Sequence, residues 1–255
     1  PIIIDDESID KKYLKKTLDD VYKILNVDLI FLDKNPCLIQ KTDNPLKLNG
    51  MNKSEKIPII NMKNLSWLKY FKEISNNKTK QTDRRKEKQL RDLGNLEILI
   101  TKNKIEKKRI FNFTIKNKIL YLQKKGIKSE IFEKLYSSLF DKIENNNKYV
   151  CSAIKINNRI ISSIVGRIEN DKYYYLIPSY LDKDYKKFSP GRLLLKEQIK
   201  WCFENKFKIF DFGPGEFNYK SHWSNDTSYY FKIIKAISFT GFILKGLYEI
   251  KKFLN

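Results

Sequence analysis

Two short segments hold the residues whose types and spacing could do chemistry. The first is Phe210-Asp211-Phe212-Gly213-Pro214-Gly215, which runs on through Tyr219-Lys220-Ser221-His222-Trp223. Past Lys208, the run 208–212 is apolar on both faces, as a central strand is, except that Asp211 shares a face with Ile209 and Phe207. A carboxylate held there is costly unless it is paired or hydrogen-bonded. Lys220, just past the glycine turn, is a natural partner. That pair has two uses, a structural anchor for the sheet or a catalytic group in a cleft. Tyr219 can donate a proton to a leaving group, with plain packing as its competing use.

The second segment is Ser189-Pro190-Gly191-Arg192, followed by Leu193-Leu194-Leu195. Ser189 is a good helix N-cap and Pro190 is pre-set for the first turn. Leu195, Ile199, Cys202 and Phe203 then follow at i, i+4, i+7 and i+8, the spacing of a core face. The unpaired N–H groups of such a first turn, with the helix dipole, form a phosphate site. Gly191 would let a pyrophosphate approach the backbone, and Arg192 adds charge. A capped helix that binds nothing is the competing reading.

These segments need a scaffold to bring them together. Tyr149–Ile156, Arg159–Ile168 and Lys172–Tyr180 are β-rich runs separated by Asn157-Asn158 and by Glu169-Asn170-Asp171, turn residues that predict consecutive antiparallel hairpins. A helix over about 190–206 and a short strand at 208–212 follow. The helix crosses between two strands that run parallel, and ligands favour the crevice at such a switch point. Upstream, the spacing predicts a helix over 11–25, a strand at 27–32, helices at 65–75 and 78–93, a strand at 96–101, and helices near 105–125 and 129–144. Residues 41–60, with Asn44-Pro45, Asn49-Gly50 and Pro58, read as a polar loop and boundary. The fold class expected is α+β, a mixed, mostly antiparallel sheet with one parallel crossover, flanked by helices. The division expected is 1–64, an incomplete N-terminal lobe and linker, and 65–255, the functional domain.

Composition narrows the chemistry. Of 255 residues, 41% are apolar and 13% aromatic, ordinary for a globular protein. Cys37, Cys151 and Cys202 are scattered, which argues against a disulfide framework and a zinc cluster, and His222 is the sole histidine. The chain carries 51 basic against 30 acidic groups, a formal charge of +21. Only seven of the 51 are Arg. Nucleic-acid readers lean on Arg for bidentate and stacking contacts, so the charge reads as composition bias and no specific nucleic-acid partner is expected. Without a signal peptide or long apolar run, a cytoplasmic protein is expected. The tail from 229, with Phe239, Phe242, Ile243, Leu247, Ile250 and several lysines, reads as a docked strand and helix or as a surface for an anionic membrane.

From about Ser66 to Trp223 the sequence resembles the CelD-like (cellulose-biosynthesis type) branch of the GNAT superfamily of acyltransferases, related to the Fem peptidyltransferases. Four elements carry the resemblance in order: the basic helix with Arg84-Arg85 through Leu90 to Gly94, the Tyr173-Tyr174-Tyr175 strand with Tyr180, the Ser189-to-Leu194 helix start, and the Phe210-to-Trp223 segment. The resemblance implies the GNAT fold, direct acyl transfer and acyl-CoA as co-substrate without a metal. It implies Ser189, Gly191 and Arg192 at the donor's phosphates and Asp211, Tyr219 and Lys220 on the acceptor side. The usual Gln/Arg-x-x-Gly-x-Gly/Ala loop is here reduced to one glycine. Proteins of this kind begin well before the position of Pro1, so a truncated chain is expected. The expected acceptor is an amine or hydroxyl of a sugar or envelope precursor; a Fem-like aminoacyl-tRNA-dependent transferase and a non-catalytic scaffold are the alternatives.

Overall fold

A computed structural model describes residues 16, 17, 20, 21, 24–36, 38, 39, 42, 43, 52–127, 143, 146–181, 184–215 and 217–254. Most of the 11–25 and 129–144 helices and Cys37 therefore lie outside the described residues, although 16, 17, 20, 21 and 24 are helical. The contacts form two compact units. One is Pro58–Gly213 with Phe217–Asp226; the other is Pro1–Ile57, Pro214–Glu216 and Thr227–Asn255. Contacts thus group the residues in another way than composition does, with the boundary at 57/58 and the tail beside the N-terminal residues.

In the Pro58–Gly213 unit the strands are β5 (Leu96–Thr101), β6 (Tyr149–Ile156), β7 (Arg159–Glu169), β8 (Lys172–Tyr180), β9 (Ile209–Asp211) and the end of β4 (Asn52–Asn61). Their order is β4-β9-β8-β7-β6-β5. All neighbours are antiparallel except β8 and β9, which are parallel. This is the mostly antiparallel sheet with one parallel crossover that the hairpin signals predict. Asn157 and Asn158 both adopt left-handed φ values, 47° and 67°, which a two-residue hairpin requires and asparagine tolerates.

Helices cover both faces. On one side α1 (Trp67–Ile74), α2 (Asn77–Arg91) and α4 (Pro190–Glu204) bury Tyr70, Leu90, Leu194 and Ile199 against Val150, Ile154, Tyr173 and Phe210. On the other, α3 (Lys104–Lys124) packs Ile110 and Phe111 on Cys151, Ala153 and Val165. β6 is buried along its whole length because both of its faces are covered. Short polar bonds pin the layers: Ser152 to Gln198 across one face, and Thr114 to Ser163 at 2.7 Å across the other.

The stretch expected to be loop contains strand β4. Its Lys53, Glu55, Lys56 and Pro58 mask a strand signal carried by Ile57, Ile59 and Ile60 alone, all of them buried. Pairing with β9 (Ile59↔Asp211, Ile60↔Phe210) supplies the hydrogen bonds that local propensity does not.

In the other unit, β1 (Leu29–Pro36) pairs antiparallel with β10 (Asp226–Ala236), which adjoins β4; β2 (Leu38–Ile39) and β3 (Thr42–Asp43) form a small ladder. The tail is β10 followed by α6 (Phe239–Leu254), the strand-plus-helix arrangement. Among the described residues no helix is long and apolar enough to cross a membrane.

Candidate active site

β8 and β9 pair over three residue pairs only, Lys172↔Ile209, Tyr173↔Phe210 and Tyr174↔Asp211. β9 then ends: Gly213 takes φ 69°, a left-handed turn that glycine allows. β8 continues to Tyr180 without its neighbour, so a crevice opens at the carboxyl ends of the parallel pair, the switch-point position at which ligands bind. A cavity of about 250 Å³ occupies it. Its walls come from Ser162–Ile164 of β7, Tyr175 and Pro178–Tyr180 of β8, Gly191, Arg192 and Leu195 of α4, and Tyr219 and Trp223 of α5 (Asn218–Trp223). A wider hollow of about 420 Å³ lies elsewhere, between Met62–Leu65 and Phe203, Phe207 and Lys208. It contains none of the residues with chemistry, and Lys208 is paired with Asp171 at 2.7 Å.

The crevice unites three of the six residues flagged in the sequence: Gly191, Arg192 and Tyr219. A Cβ built on Gly191 would lie 3.9 Å from the Tyr180 ring and 4.0 Å from Ser162 Oγ. That is ordinary contact, so the bare glycine keeps the cavity open rather than relieving a clash. Arg192 is fixed on two sides. Its Nε and Nη2 donate to the Asp83 carboxylate at 2.9 and 3.3 Å, and its guanidinium lies 4.9 Å from the Trp223 ring centroid. Tyr219 is 39% exposed. Burial pushes its phenol above the ordinary value, with the nearby Tyr175 hydroxyl pulling the other way. Tyr219 and Trp223 are four apart, so one turn of α5 turns both towards the cavity. Tyr70 holds the end of that helix by donating to the Trp223 carbonyl.

The other three flagged residues stand outside the cavity lining. Ser189 precedes the helix, but with φ 54° and ψ 52° it is left-handed and its side chain makes no cap bond. The cause is the tight turn Lys186–Phe188 before it. Ser189 Oγ instead accepts from Lys86 Nζ at 2.7 Å, and its carbonyl accepts from the Arg192 and Leu193 amides. The Gly191 amide is left as the one in that turn for which the described residues provide no acceptor. The expected cluster of free N–H groups is thus smaller than the sequence suggests. Asp211 is 2% exposed and pairs with Lys172 Nζ at 2.6 Å, while its Oδ1 accepts from the Gly213 amide at 2.7 Å. The partner read from the sequence, Lys220, instead donates to the Gly213 carbonyl at 3.2 Å and stands 5.2 Å from the Phe217 ring centroid.

Several residues of the site escaped the sequence reading. Tyr175, fully inside, has its phenol pushed well above the ordinary value by burial; its place two residues after the buried Tyr173 marks it as inward-facing. Asp83 is an acid in the basic run 78–88, a signal that charge counting passes over. His222, beside Trp223, is held below the ordinary imidazole value by partial burial and the charge of Arg192, against an opposite pull from Asp83. Cys202 is fully buried and its thiol is pushed up by that burial, in keeping with a core role. Among the described residues no group of His, Cys, Asp and Glu could hold a metal ion.

Residues 77–221, which include every wall of the crevice except Trp223, match the family of acetyltransferase (GNAT) domains. The chain belongs to the GNAT acetyltransferase-domain family. It is accordingly a transferase. A search of curated proteins finds no match. Among solved structures, FemX superposes with a TM-score of 0.58 at 13% identity, over 89% of this chain and 77% of that one. The C-terminal domain of a protein assigned as a lysylphosphatidylglycerol synthetase from Agrobacterium fabrum gives 0.54 at 7% identity, over 94% and 77%. At such identities the likeness is one of fold, and it gives the GNAT chain its architecture without naming its donor.

Proposed function

We propose that this GNAT protein transfers an acyl group, acetyl in the simplest case, from an acyl-CoA thioester to an amine or hydroxyl of a sugar or envelope precursor. The observation that carries the reading is the convergence of Gly191, Arg192 and Tyr219 on one cavity where β8 and β9 part. The donor's phosphates would meet the Gly191 amide and the Arg192 N–H groups that Asp83 leaves available, and its thioester would lie towards Tyr219. A neutral acceptor nitrogen or oxygen attacks the thioester carbon, and the carbonyl electrons move to oxygen. When they return, the C–S bond breaks and the thiolate takes the Tyr219 proton. The proton lost by the acceptor passes to water, and water returns one proton to the Tyr219 phenolate, so the phenol is restored. The Tyr219 phenol is protonated at neutral pH, as a general acid must be, and burial holds it above its ordinary value, which makes it a weaker acid than a free phenol. No enzyme nucleophile is required. The four ordered motifs support placing the chain in the CelD-like branch.

A second reading, an aminoacyl-tRNA donor, is favoured by one observation. The basic helix α2 touches the donor end of the crevice through Lys86–Ser189 and Asp83–Arg192, in a chain of net charge +21. Calorimetry with CoA and acetyl-CoA, alongside charged tRNA over a salt series, separates the two. CoA binding that weakens only modestly with salt supports the thioester donor. Absence of CoA binding at every salt concentration, with tight and steeply salt-dependent tRNA binding, would replace it with the second reading.

A further inference from the structure

The C-terminal helix α6 is turned inside out. A surface helix normally buries its apolar stripe and shows its polar side to water. Here Phe239, Phe242, Ile243, Leu247 and Ile250, spaced i, i+3, i+4, i+8 and i+11, form the outer face. Phe239 is 81% exposed, Phe242 68%, and Leu247 and Ile250 59% each. The packed side carries Gly241, Lys245 and Tyr248, at i, i+4 and i+7.

This rotation is set by close contacts within the unit. A Cβ on Gly241 would lie 1.7 Å from the Asp28 carbonyl oxygen, so only glycine lets the helix approach β1 on that side. Ser238 bonds Asp28, the Gly241 amide donates to Ser238 Oγ at 3.1 Å, and the Ile237 amide donates to the Asp28 carbonyl at 2.9 Å. Farther along, Tyr248 accepts from Lys232 at 2.6 Å and meets Phe31 edge-on at 5.3 Å. Turning the apolar stripe inward would break all of these.

We propose that this face of α6 is an anchor that lies in the surface of an anionic lipid bilayer. Charge selects that occupant. Past the apolar stripe the helix carries the exposed Lys251, followed in sequence by Lys252, against the single acid Glu249. Bulky apolar groups with flanking lysines are the composition of helices that insert at a headgroup boundary. At 16 residues α6 is about 24 Å long, suited to lying along a membrane surface.

Sedimentation of the full chain with vesicles tests this, using phosphatidylcholine alone and phosphatidylcholine mixed with phosphatidylglycerol. The wild type is expected to bind the mixed vesicles and the Phe242→Glu/Leu247→Glu variant to bind about tenfold or more weakly. Both should melt at the same temperature, since the altered side chains face solvent. Failure of the wild type to bind the mixed vesicles would overturn the anchor. So would full retention of binding by the variant, which would leave only diffuse attraction by lysines. A concentration-dependent dimer abolished by the variant, without vesicle binding, would make the face a contact between copies of this chain.

Discussion

Asp211 takes its ion pair from Lys172, 2.6 Å away across the one parallel strand junction, and not from Lys220 beyond the glycine turn. The pair runs diagonally along the β8–β9 ladder, from its first rung, Lys172↔Ile209, to its last, Tyr174↔Asp211, beyond which the crevice opens. Asp211 is almost wholly buried whereas the Lys172 side chain is 26% exposed, so the two ends are not equivalent. Lys172→Ala strands a buried carboxylate and is expected to cost about 3–5 kcal/mol. Asp211→Ala leaves a lysine that can reach water and should cost less. Chemical denaturation of both variants checks the order; equal costs would refute the asymmetry.

The same pair has a pH signature at the alkaline end. Burial lowers the Lys172 value, but the charges of Asp211 and Tyr174 and the hydrogen bonds to both together outweigh it and hold the ammonium above its ordinary value. A group raised on folding contributes stability that is complete below its unfolded value and is lost as pH rises through the folded one. The wild type should therefore lose more stability than Lys172→Met between the ordinary lysine value and more alkaline pH, as read by denaturation midpoints.

Lys220 is 5% exposed and bonds the Gly213 carbonyl, the position of a strut for the glycine turn. Lys220→Met should lower stability by about 1–3 kcal/mol. Turnover of the fraction that remains folded should be close to wild type, measured with melting temperature on the same sample. A stable variant that has lost turnover by a hundredfold or so would instead make Lys220 an oxyanion donor.

Gly191 has room for a Cβ but none for a side chain without filling the cavity. Gly191→Asp should leave the melting temperature within a few degrees of wild type and abolish donor binding in calorimetry, because volume and negative charge enter where phosphate would lie. Undiminished binding would move the donor elsewhere.

Tyr219→Phe removes only the transferable proton. A fall in kcat of about a hundredfold or more with an unchanged KM is the expected split. A change in KM alone would show that the phenol binds substrate and does not protonate the leaving group.

Because His222 is the sole histidine, one imidazole resonance reports the charge balance at Arg192. Its midpoint should lie below the ordinary value, rise in Arg192→Ala, and fall further in Asp83→Asn. The opposite order would mean that Arg192 does not face it.

Much of this protein was determined by sequence alone, and by interactions short in range. Asn157-Asn158 can only turn a hairpin, Pro190 can only open a helix, and alternating apolar residues must form strands, so the antiparallel run, the crossover and the crevice were legible, as were Gly191, Arg192 and Tyr219 beside it. Strand β4 was not, because its pairing with β9 comes from residues far along the chain. Nor were three further choices. The cost of burying Asp211 demands a cation without specifying which, and strand register, not sequence distance, brought Lys172. Asp83 took Arg192 and Lys86 took Ser189 because α2 packs at the start of α4. The rotation of α6 follows from the approach of Gly241 to Asp28, which periodicity cannot foresee. Periodicity shows that a helix has an apolar side, whereas only its packed neighbours decide which way that side faces.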